Sequence, residues 1–146
     1  MIAALLLLLA QPGESADHAL EAVSVAEEPP EPDDDCGDPQ DQRRMNFCAS
    51  LQFGVADAAL NAQWELAAAA MKEADAEVGQ DDPQPGHYAT LLDGQRAWRK
   101  YRDAQCLLES FEARGGSMQP MLEHFCLTRL TELRTEALRD LVDGPQ

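Results

Sequence analysis

GQRAWRKYRDAQC, residues Gly94 to Cys106, gathers four of the eleven Lys and Arg residues of a 146-residue chain, with a Trp, a Tyr and a Cys, although the formal net charge of the whole is -16. Gln95, Trp98, Arg102 and Cys106, with Gln105 beside it, recur at three- and four-residue steps, so they share one helical face. An amide, an aromatic ring and a guanidinium on one face do not make a plain apolar core. A buried guanidinium without a partner is costly, so Arg102 and Gln95 are expected to pair with Asp57 or Asn61 of a preceding helix and fix the register between the two. Arg96, Arg99 and Lys100 fall on the other side, as a solvated face or a contact surface, and balance acids elsewhere in the chain.

Outward from this stretch, a helix is expected from Tyr88 to about Ala113, closed by GGSMQP. Upstream, Met45, Cys48, Ala56, Leu60, Trp64, Ala67, Met71, Ala74 and Val78 repeat at helical spacing, with Gln52 or Phe53 filling one gap. That helix, Gln42 to Val78, runs through the strong helix formers ELAAAAMKEADAE and ends at Gly79 and DDPQPG. Downstream, a third helix from Met118 or Gln119 to Val142 carries Met121, Leu122, Phe125, Cys126, Leu130, Leu133, Ala137, Leu138 and Leu141 as its apolar stripe, with Pro120 in the first turn. No alternating strand pattern and no Asn-Gly hairpin turn competes. The class is therefore all-α, a small antiparallel three-helix bundle.

The four cysteines show neither C-x-x-C nor C-x-x-C-H spacing, which argues against a zinc ribbon, a thioredoxin-like centre and covalent haem. In an exported chain they favour two disulfides, for which three connectivities exist. Cys106 and Cys126 flank the second turn of the bundle at similar height, and Cys48 lies at the same end. This favours Cys106 with Cys126 and leaves Cys36 for Cys48, each bridge contributing about 3 kcal/mol.

Export is read from MIAALLLLLA at the N-terminus, too short an apolar run to span a bilayer but of the length found in a secretory signal. Gly13 and Ser15 supply the small residues for cleavage after Ser15. Residues 14 to 41 hold eleven Asp and Glu and no Lys or Arg, and AEEPPEPDDDCGDPQ is too poor in apolar residues to offset the entropy of ordering. The expected organisation is a signal peptide at 1–15, a disordered acidic Pro-rich tail at 16–35 and a helical domain at 36–142. From Arg43 onward sixteen acids face eleven bases, a net charge of only -5.

MNFC (Met45 to Cys48), ADAALN (Ala56 to Asn61), GQRAWRKYRDAQC, GGSM (Gly115 to Met118), Cys126, TELR (Thr131 to Arg134) and Leu138 together make a signature. In it the chain resembles the LprI-type lysozyme inhibitor, N-terminal domain family of small exported bacterial proteins, over roughly Cys36 to Leu141. The QRAW-x-x-YRDAQC block is its most specific element. The resemblance implies an all-helical, disulfide-bonded fold and, for some members, inhibition of host-type lysozyme. Besides the cysteines, the signature and the helical face single out Asn46, Asp57, Asn61, Gln95, Trp98, Arg102, Asp103 and Arg134 as a structural network.

No Ser or Cys has an identifiable base and orienting acid, so an enzyme is not expected. His18, His87 and His124 are scattered, and His124 near Cys126 lacks the second pair that a metal site needs, so neither metal nor cofactor is expected. Acidity in both tail and domain disfavours nucleic acid. The expected partner is a protein, with a cationic lysozyme first, met in the periplasm or outside the cell through loops such as Gly79 to Gly86 or Arg114 to Met118. The alternative is an envelope interaction module with another partner.

Overall fold

A computed structural model describes residues 36–78 and 83–144. The leader expected at 1–15, the tail expected at 16–35 and the tip of the first loop lie outside the described residues. Three helices follow one another: α1, Gln42–Glu77; α2, His87–Glu109; and α3, Gln119–Asp143.

Each helix starts and stops for a local reason. Asp41 caps α1 by accepting from the backbone N–H of Arg44 at 2.8 Å, and the chain leaves the helix at Val78 in an extended conformation. The start of α2 has no side chain of its own for a cap, because Gly86 stands there. Asp75 of α1 supplies the cap instead, Oδ1 accepting from the backbone N–H of His87 at 2.5 Å and Oδ2 from that of Tyr88 at 3.0 Å. A Cβ on Gly86 would sit 3.1 Å from that carboxylate, so glycine makes room for the contact. Pro120 occupies the first turn of α3, and Gly144, at φ 83°, follows its last residue.

The expectation of one continuous helix to Ala113 is corrected. α2 ends at Glu109 and tightens into a 3-10 turn, Ser110–Ala113, in which the N–H of Arg114 reaches Phe111 O.

Asp57 meets Arg102 and Asp75 meets His87, so residue numbers rise along α1 as they fall along α2, and the two run antiparallel. Cys106 with Cys126 and Gln95 with Arg134 give the same order for α2 and α3. The core groups Leu60, Ala67, Leu91 and Leu138, with Trp64, Met71 and Trp98 packed against it. On α1 the other buried residues are Cys48 and the alanines Ala49, Ala56 and Ala68, small groups that allow close approach of the neighbouring helices.

The stripe expected on α3 is rotated from the one observed. Phe125, Leu133 and Leu141 are 46 %, 53 % and 50 % exposed, while Thr131 and Thr135 are buried beside Cys126 and Leu138. Val78 at the end of α1 is likewise exposed. Threonine can be buried here because its hydroxyl is satisfied at once: Thr135 donates to Thr131 O at 2.9 Å, and Thr131 accepts from Arg102 at 3.2 Å.

Candidate functional site

Arg102 joins all three helices. Its side chain is almost wholly buried, with Nε donating to Asp103 Oδ1 at 2.9 Å and Nη1 donating to Asp57 Oδ1 at 3.3 Å and Thr131 Oγ1 at 3.2 Å. Its guanidinium also lies 5.1 Å from the Trp98 ring centre and 5.3 Å from that of Phe53. Asp57 and Asp103 remain 40 % and 59 % exposed, so the acids keep water while the base does not. Asn61 donates to Asp57 Oδ2 at 3.2 Å and holds the acceptor in place.

Gln95 does not join this group. Two turns nearer the start of α2, it faces α3, and its Oε1 accepts from Arg134 Nε at 2.8 Å rather than engaging Asp57 or Asn61. The Arg134 guanidinium stands 5.9 Å from the Trp98 ring centre, and burial draws its pKa down. Trp98 therefore has two guanidinium groups within cation–π reach, one from its own helix and one from α3.

Asn46 works at the opposite end. It accepts from Gln42 at 2.8 Å and donates to Ser117 O at 2.9 Å, tying the start of α1 to the loop between α2 and α3. In that loop Gly115 takes φ 77° and gives its N–H to Gln119 Oε1 at 2.8 Å, while the Gln119 amide donates to the buried Ser110 hydroxyl at 3.2 Å. Disulfides Cys36–Cys48 and Cys106–Cys126 lie at this end, and no described cysteine is free. The loop Arg114 to Met118 is thus held from α1, from α3 and by a covalent bond beneath it.

Beside the loop, Glu109, Glu112, Leu122, Phe125, Cys126 and Arg129 line a groove of about 420 Å³. Arg129 bridges to Glu109 at 3.0 Å. The Gln105 amide, and after it Arg129, hold the Glu109 carboxyl below its usual range. Glu112 has no ion-pair partner among the described residues, and Phe125 is half exposed.

The other residues singled out in the sequence are dispersed. Arg96 pairs weakly with Asp93 at 3.5 Å on the surface, and Arg99 and Lys100 are exposed. His18 lies outside the described residues, His87 contacts Asp75 at 3.0 Å, and His124 turns Nδ1 to Pro120 O at 2.7 Å. Among the described residues no group of three or more His, Cys, Asp or Glu is placed to hold a metal ion. Every fully buried side-chain nitrogen or oxygen described has a hydrogen-bond partner. Sequence reading missed Ser110 and Asp75, which carry no apolar signal, quoted Thr131 only within TELR and without a role, and placed Phe53 only as a gap filler.

The family model described as Lysozyme inhibitor LprI matches residues 33–138, the whole span from the first cysteine nearly to the end of α3. A protein of Rhizobium meliloti (strain 1021), itself described as uncharacterized, is 44 % identical over 117 residues, covering 80 % of this chain and 84 % of the relative. No solved structure matches.

Proposed function

We propose, because this chain belongs to the lysozyme inhibitor LprI family, that it is an exported protein, periplasmic or secreted, that binds a lysozyme-type muramidase and blocks it without chemistry of its own. Family membership across the whole helical unit is the observation that carries this reading. No described helix is long and apolar enough to cross a membrane, and two disulfides suit an oxidising compartment.

The contact belongs to the fastened end of the bundle. A loop ordered before binding loses little conformational entropy in the complex, and Arg114 to Met118 is held by Asn46, Gln119 and a disulfide. The groove beside it sets acid groups, Glu109 and Glu112, around exposed Phe125. That combination fits a cationic side chain presented by a basic, glycan-binding cleft. The excess of acids over bases steers such an encounter and makes it sensitive to salt.

The test is titration of a c-type lysozyme with the oxidised protein at low and moderate salt, beside Glu112→Lys and Phe125→Ala variants. Stoichiometric inhibition is expected, weakened about tenfold or more by each substitution. A folded helical protein that leaves the enzyme untouched at every ratio refutes the reading for that lysozyme class and leaves an envelope interaction module with another partner.

A further inference from the structure

At the end of the bundle remote from the disulfides lies a cleft of about 640 Å³, walled by Met71, Val78, Leu91 and Leu141, with Arg134 among its polar lining. Asp75, Gln84, His87 and Thr90 complete its polar lining, and its volume lies in the range of small-molecule sites.

Two features of this cleft are not explained by the packing. Arg134 has its Nε fixed by Gln95 and its guanidinium set beside Trp98, yet among the described residues no carboxylate pairs with it. A half-buried cation in an acidic protein thus stands without a counter-charge among the described residues. Gly94, also lining the cleft, sits in the interior of α2, where glycine is the poorest helix former after proline. A Cβ on Gly94 would meet nothing within 4 Å, so no protein neighbour demands glycine, and the space that a side chain would fill is left empty. The acid of the cleft, Asp75, commits both oxygens to the start of α2 and to His87.

We propose that this cleft binds a small amphiphilic monocarboxylate. The carboxylate sits on the Nη groups of Arg134, and the apolar part lies against Met71, Leu91 and Leu141, over the bare backbone at Gly94. A guanidinium pinned through Nε and set beside an aromatic ring presents its remaining donors in a fixed fork, which favours a planar two-oxygen acceptor. The site is separate from the groove assigned to the lysozyme contact and does not depend on that reading. A free fatty acid and the C-terminus of a short peptide with small apolar side chains both carry this chemistry.

Calorimetric titration and tryptophan fluorescence of the full oxidised protein test it, with octanoate and N-acetyl-alanyl-alanine as probes and their neutral primary amides as controls. Saturable binding of at least one acid is expected, about tenfold or more weaker for its amide and for Arg134→Gln, and lost in Gly94→Leu, whose side chain occupies the cleft. A response to octanoate alone assigns an acyl source, and a response to the peptide alone a peptide source. The proposal is overturned if neither acid binds up to about 10 mM, a ceiling of roughly -3 kcal/mol. It is also overturned if an amide binds as well as its acid, or if Gly94→Leu, still helical by circular dichroism, binds unchanged.

Discussion

Replacing Arg102 by Met asks whether a buried arginine holds this bundle together. Met keeps an unbranched apolar stem and removes the charge. Three charge-assisted hydrogen bonds disappear, to Asp103, Asp57 and Thr131, at about 1 kcal/mol net each. Two ring contacts, to Trp98 and Phe53, remove about 0.5–1 kcal/mol apiece. Relief from burying a cation returns roughly 1–2 kcal/mol. The two stranded acids add little, since both already reach water. The expected loss is about 3 kcal/mol, or about 12–24 °C in melting temperature for a domain of this size. Thermal and urea unfolding by circular dichroism, with the disulfides intact, measures it. Asp57→Ala in the same assay is expected to cost only about 1 kcal/mol, because that carboxylate is partly exposed and Asp103 keeps its hold on Nε. An Arg102→Met protein as stable as the parent, or more so, would show that apolar packing serves as well there, and the role of α2 as organiser of the bundle would fall.

The remaining expectations concern the ends of the helices. Replacing Cys106 and Cys126 together by Ser opens a link of 20 residues and should lower the unfolding free energy by about 3 kcal/mol, read from the urea midpoint. Asp75 has its pKa lowered, first by the Tyr88 N–H it accepts. Its contribution is therefore present above the ordinary carboxylate pKa and is lost as pH falls through the lowered one. The stability gap between the parent and Asp75→Ala should be open at pH 7 and close in acid, and a gap independent of pH would refute the cap. Gly115→Ala forces a side chain into φ 77° with no clash to relieve, at a cost of about 1 kcal/mol, and should weaken lysozyme inhibition beyond its effect on stability.

The helices were legible because helical spacing, strong formers and Gly-Pro stops agree along the chain, and their bounds fall within a residue or two of those read from it, except at the end of α2, which stops at Glu109 and tightens into a 3-10 turn before Ala113. The buried face of α3 was not. A count of apolar residues points to Phe125, Leu133 and Leu141, whereas packing selects Thr131 and Thr135, whose hydroxyls are satisfied within the helix or by Arg102. The pairing of Arg102 with Asp57 could be anticipated from the cost of an unpaired cation, but the partner of Gln95 depends on which neighbour stands at its height. Asp75 capping a helix twelve residues on, and Asn46 reaching Ser117, depend on loop geometry that no local pattern encodes.

Both disulfides join cysteines that follow one another in the chain, first with second and third with fourth, across 12 and 20 residues. For a polypeptide delivered N-terminus first to an oxidase, this order matters. If the first bond closes before the third cysteine arrives, the last two have only each other, and the simplest sequence of oxidation events is also the correct one. Oxidation in that order needs no thiol–disulfide reshuffling. The opposite outcome, a need for a disulfide isomerase, belongs to proteins whose bonds cross or nest.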